Sequence, residues 1–115
     1  MFGKYKVSLG RVRDEVEVVE GNETLILHVN SDPQRMVAGL SLVQTRLKTI
    51  TEETSDEDIH DCAMKFAEVI FGKEQAVKLS DFYHGDSGCM ISICSKYFGE
   101  RLRNLITKAQ KKHKP

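Results

Sequence analysis

Few residues in this chain combine a chemical type and a spacing that could do chemistry. His60-x-Cys62 and His84-x4-Cys89 bring potential metal ligands near one another. Structural zinc sites favour CxxC or HxxxH spacings, whereas side chains two apart on a helix point about 200° away from each other, and Cys89 and Cys94, five apart, align no better. These spacings read as cysteine packing rather than ligation. A nucleophilic site can be drawn from Cys89, His84 and Asp86 around the loop Gly85-Asp86-Ser87-Gly88. No GxSxG elbow or cysteine-protease context surrounds it, and Gly, Asp and Ser are what a turn followed by a helix cap requires. The glycines match neither a P-loop nor a dinucleotide fingerprint. The acids between Glu52 and Asp61 lack the order and the central glycine of an EF-hand loop. The expectation is a non-enzymatic chain with no catalytic residue, no cofactor and no metal.

The elements around these residues explain them better. Tyr5, Val7 and Leu9 alternate with polar residues, as do Val12, Val16 and Val18, and again Leu25, Leu27 and Val29. A period of two marks strands with one buried face, and Gly21-Asn22 between the second and third runs is a hairpin signal. Residues 1–30 thus read as a small antiparallel meander, which needs something to cover its apolar face. Asp32-Pro33 opens a helix, since aspartate accepts first-turn amides and proline at the first helical position loses no bond. Met36, Val37, Leu40, Val43, Leu47 and Ile50 give that helix one apolar stripe, and Gly39 within it costs about 1 kcal/mol.

Ser55 with Asp58 caps a second helix, whose first-turn acids suit the positive end of its dipole. Ile59, Cys62, Ala63, Phe66, Ala67 and Ile70 form its inner face, and Gly72 is placed to end it in the left-handed conformation. A short helix carries Ala76, Leu79, Phe82 and Tyr83 and breaks at His84-Gly85. Asp86 or Ser87 then caps a last helix bearing Met90, Ile91, Cys94, Tyr97, Phe98, Leu102, Leu105, Ile106 and Ala109. The expected architecture is α+β in a single domain of residues 1–115: an N-terminal antiparallel hairpin or meander, then about four helices over 32–50, 55–71, 73–84 and 87–110, and a basic, disordered tail over 111–115. At about 1.5 Å per residue the last helix exceeds 30 Å, long for so small a domain.

At 115 residues and 40% hydrophobic composition the chain can bury one modest core. Lys plus Arg equals Asp plus Glu at 17 each, so net charge gives no reason to invoke nucleic acid or a membrane surface. The charges are nevertheless segregated: six acids and no Lys or Arg from Glu52 to Asp61, then seven Lys/Arg against Glu100 alone from Lys96 to Pro115. Such separation favours pairing within the fold or between copies. An odd cysteine count with no signal-peptide pattern reads as a reduced, cytoplasmic protein, and no apolar run approaches the about 18 residues of a membrane helix. The 73–83 helix, glycine turn and following helix outline a helix-turn-helix, but the second helix opens with Gly88-Cys89-Met90-Ile91, apolar where base and phosphate contacts would be needed. Nucleic-acid binding, as a small regulator, is the weakest of the readings.

The order Phe66-Ala67-Glu68-Val69-Ile70-Phe71-Gly72-Lys73-Glu74-Gln75-Ala76-Val77-Lys78-Leu79, then Phe82-Tyr83-His84-Gly85-Asp86, then a long helix ending Ile106-Thr107-Lys108-Ala109-Gln110-Lys111-Lys112, resembles small tail assembly chaperones of phages and prophages of Gram-positive bacteria. The resemblance covers Asp58 to Lys112 and leaves residues 1–54 unmatched. It implies a cytoplasmic protein that coats the helical tape-measure protein, recruits tail-tube subunits and leaves before the virion is complete, often with a longer frameshifted form. The group has no active-site residues to transfer. The alternative is a structural tail component or tail-completion protein. The last helix has more apolar residues than one stripe needs, so Met90, Ile91, Phe98, Leu102 and Ile106, with Arg101 and Lys108, are the expected partner-binding residues. Self-association is a further expectation.

Overall fold

The computed structural model describes residues 11–102 of the 115-residue chain. The expected strand at residues 4–9, most of the basic end of the last helix and the tail fall outside them. The fold is α+β: an antiparallel hairpin followed by four helices.

Strands β1 (Val12–Glu20) and β2 (Glu23–Ser31) pair from Val12 opposite Ser31 to Glu20 opposite Glu23. Gly21 has φ +60°, while the only non-glycine with positive φ among the described residues is His84. Glycine alone in the left-handed region at the first loop position is the II′ turn, whose twist matches that of the strands. Period-two alternation puts Val12, Asp14, Val16 and Val18 with Leu25, Leu27, Val29 and Ser31 on the inner face, and Leu27 and Val29 are among the most deeply buried residues.

Helix α1 (Pro33–Leu47) starts where Asp32 Oδ1 accepts the Gln34 amide at 2.9 Å, with Pro33 at the first helical position. Met36, Leu40 and Val43 bury its stripe. It stops three residues short of the expected Ile50. The Arg46 carbonyl, which one more α-helical turn would give to the Ile50 amide, is taken by the Thr49 amide at 3.0 Å and the Thr49 hydroxyl at 2.6 Å. Ile50 donates instead to Leu47, tightening the end into a turn.

Helix α2 (Asp56–Phe71) is capped by Ser55, whose hydroxyl accepts the Asp58 amide at 3.1 Å. It buries Cys62, Ala63, Phe66, Ala67, Ile70 and Phe71 and packs against α1, β2 and both later helices, so the core is built around it. Gly72, at φ 90° and ψ 161°, both ends α2 and opens α3 (Lys73–Phe82). This corrects the expected left-handed helical cap. The conformation is the mirror of an extended strand, open only to glycine, and it turns the chain straight into a new helix. After α3, Gly85 donates to the Ser80 carbonyl at 2.8 Å with His84 and Gly85 at positive φ, a Schellman-type stop.

Asp86 rather than Ser87 caps α4 (Ser87–Tyr97), accepting the Cys89 amide at 3.1 Å. Met90, Cys94 and Tyr97 face the core. Instead of running on as one α-helix, the chain then widens into a π-helical turn, Phe98–Leu102. At the α1–α2 crossing, a β-carbon on Gly39 would lie 2.9 Å from both Val69 methyls, so glycine sets how closely those helices approach. No helix among the described residues is long and apolar enough to cross a membrane.

Candidate functional site

Of the residues with the most chemical character, His60 and Asp86 make bonds that join or cap helices. His60 Nδ1 lies 3.2 Å from Ser87 Oγ, tying α2 to the first turn of α4. Cys62, two residues on, points into the core instead, and burial pushes its thiol up. Asp86, which a triad would use to orient a base, is occupied as a helix cap, and His84 stands exposed in the turn. The Cys89 thiol is raised, first by desolvation and then by Asp86, the reverse of the activation a nucleophile needs. Cys94 is enclosed, and burial pushes it up to about 12. Among the described residues no three His, Cys, Asp or Glu side chains gather to hold a metal ion.

The best-built polar cluster is Asp14, Tyr97 and Arg101. Asp14 sits on the valine face of β1, its side chain only 14% exposed. Tyr97 donates its hydroxyl to Asp14 Oδ2 at 2.7 Å, while Arg101 Nη2 reaches Oδ1 at 2.7 Å and Nε reaches Oδ2 at 3.4 Å. The guanidinium fork thus spans both carboxylate oxygens. Tyr97 is held in place by the Phe71 ring, 6.0 Å centroid to centroid. The Arg101 hydrogen bond is the main cause holding the Asp14 carboxyl below the usual carboxylate range, against burial. Burial, then Asp14, pushes the Tyr97 phenol well above its ordinary value. A carboxylate that stays charged and a phenol that stays protonated make a clasp between the hairpin and the π turn, with no general base. The signal for it lies in the parity: Asp14 shares even numbering with Val12, Val16 and Val18, although the run reads as valines in and acids out.

The expected partner-binding residues are divided by the fold. Met90 is fully buried, which corrects its assignment to a surface: α4 turns its Met90–Cys94–Tyr97 stripe against α2. Ile91 and Phe98 are half-buried against the core. Arg101 is exposed but spent on Asp14. Leu102 closes the π turn, with only its backbone described, and Ile106 and Lys108 lie outside the described residues. Among the described residues the exposed large apolar side chains are instead Leu42 at 72%, Val19 at 57%, Ile26 at 50% and Val77 at 50%. Val19 and Ile26 share the outer face of the hairpin, because Ile26 stands opposite Glu17, two residues from Val19 on β1.

The two edges of the hairpin differ. Gln75 on α3 accepts the His28 amide and donates to the His28 carbonyl, each at 2.6 Å, so its side chain takes the place a neighbouring strand's backbone would fill on β2. Among the described residues nothing pairs with the outer edge of β1. At the base of the hairpin an open cleft of about 390 Å³ lies between Arg11, Asn30, Arg35, Met36, Glu68 and Val69. Arg11 is already tied to the Asn30 side chain at 2.6 Å, and Glu68 places a carboxylate in the same space, so the cleft selects no single charge.

No protein-family model matches the chain, and neither the curated proteins nor the solved structures include a significant match.

Proposed function

We propose that this chain is a non-enzymatic tail assembly protein of a phage or prophage. In this reading it works in the cytoplasm of the bacterial host, binding the tape-measure protein and recruiting tail-tube subunits. What carries the reading is where the resembling residues lie. The Phe66–Leu79 run has Gly72 as the joint between α2 and α3, and Phe82–Asp86 forms the joint and cap between α3 and α4. Those motifs therefore determine how three helices stack, which a shared fold would require of them. Val19, Ile26, Leu42 and Val77 add apolar surface beyond what the core uses. A long helical client buries its own apolar stripe against such surface.

The test is co-expression with a co-encoded long coiled-coil protein. The client is expected to be recovered with the chain and to stay in the supernatant only when the chain is present. Recovery of no client, with client solubility unchanged, would sink the proposal. Persistence of the chain in purified mature particles would favour a structural tail component instead. For a DNA-binding regulator the exposed face of α4 offers Gly88, Ser92, Ser95 and Lys96, a single cation, which gives that reading no support.

A further inference from the structure

We propose that the chain self-associates through the outer edge of β1, pairing antiparallel with β1 of a second copy so that Arg13 faces Glu15 and Arg11 faces Glu17 across a two-fold axis. This goes beyond client binding and does not depend on it.

The geometry begins with the ladder. Gln75 bonds both the amide and the carbonyl of His28, so that residue directs its backbone away from β1, and its partner Glu15 must direct its own away from β2. By alternation Arg13, Glu17 and Val19 do the same. The outer edge of β1 therefore presents a regular row of N–H and C=O groups, and among the described residues no strand pairs with it. The opposite edge, on β2, carries Gln75 as a plug. Of the two edges, only that of β1 is left open to strand addition among the described residues.

The side chains choose the partner. Arg11, Arg13, Glu15 and Glu17 project from the outer face in the order plus, plus, minus, minus. Antiparallel pairing centred on Asp14 sets every one of them opposite an unlike charge. Shifting the register by two in either direction sets Glu15 against Glu15 or Arg13 against Arg13, and parallel in-register pairing sets like on like throughout. Arg13, Glu15 and Glu17 have no other ion pair among the described residues. On the inner face the same register brings two Asp14 residues together, and each arrives with its own Arg101 and Tyr97. The clasp thus neutralises the one like-charge pair that the register creates.

Sedimentation velocity on the full chain over a concentration series tests this. Wild type is expected to show a monomer–dimer equilibrium that weakens with added salt. Arg13→Glu, which makes two repulsive pairs per dimer, should raise the dimer Kd by roughly tenfold or more. Arg13→Glu combined with Glu15→Arg, which swaps each pair, should return it to near the wild-type value. All four positions of the charge pattern on this edge are solvent-exposed, and unchanged far-UV circular dichroism would show each variant folded. A chain that is monomeric throughout overturns the proposal. So does a dimer indifferent to Arg13→Glu, or a double swap that fails to restore pairing.

Discussion

Asp14 sets a charge among valines, and its three bonds decide how the fold responds to pH. Because Arg101 and Tyr97 hold the carboxyl below its unfolded value, the unfolded chain binds more protons as the medium acidifies. The stabilisation from Asp14 is complete above about pH 4 and is lost as pH falls through the lowered folded value. Asp14→Asn removes that contribution, so urea midpoints of variant and wild type should differ at neutral pH and converge in acid. Tyr97 has the opposite sign. Its folded pKa is raised, so above about pH 10 the unfolded phenol ionises first and stability falls. Tyr97→Phe should lack that alkaline loss and cost about 1 kcal/mol at neutral pH through the missing hydrogen bond. The thiols follow from burial. Labelling at mildly alkaline pH should reach Cys89 first and Cys94 only when the protein unfolds; early labelling of Cys94 would contradict its enclosure. The local caps at Asp32, Ser55 and Asp86 are legible in sequence because donor and acceptor lie within three residues. Asp14 is not, since its partners are 83 and 87 residues away.

At the scale of elements, close approach and edge protection are the two features that invite substitution. Gly39→Ala improves helix propensity by about 1 kcal/mol. The new methyl would nonetheless meet both Val69 methyls at 2.9 Å, with two rigid helices behind them. Overpacking should win, for a net loss of about 1–3 kcal/mol in urea denaturation, and Val69→Ala added to Gly39→Ala should recover most of it. Sequence shows Gly39 only as a weak point in a helix, because a crossing depends on which residue of a distant helix lies opposite. Gln75 was equally silent, sitting as one polar position in an amphipathic run. Gln75→Leu should expose the His28 amide to faster hydrogen exchange while leaving β1–β2 pairing in place. Unchanged exchange there would mean that α3 itself, rather than the glutamine amide, shields the strand. The helix-end error at Leu47 has the same origin on a smaller scale, as a threonine hydroxyl competes for a carbonyl that periodicity alone would leave in the helix.

For the whole molecule, hydrophobic periodicity was enough to foresee an apolar-faced hairpin, four helices and the need to cover one with the other. The same periodicity leaves Leu42, Val19 and Ile26 off the buried faces, where they are exposed; it does not resolve the last helix, whose apolar residues exceed one stripe and whose Met90 turns inward. The cover consists of Leu27 and Val29 on α2 and α3, reinforced by the Asp14 clasp at the π turn and by Gln75 at the opposite edge. A two-stranded ribbon is not stable alone in water, so hairpin and helices should unfold together. Leu27→Ala tests that coupling, because the residue is fully buried and its truncation should cost about 2–5 kcal/mol. Far-UV ellipticity reports mainly the helices, whereas the near-UV signal includes Tyr97 where the hairpin docks. If the molecule is one cooperative unit, both transitions move to lower temperature by the same amount and stay superimposed. A variant whose helical signal keeps its wild-type midpoint while the near-UV signal drops would make the hairpin a separately melting flap, and would place the Asp14 clasp at a hinge rather than in a wall.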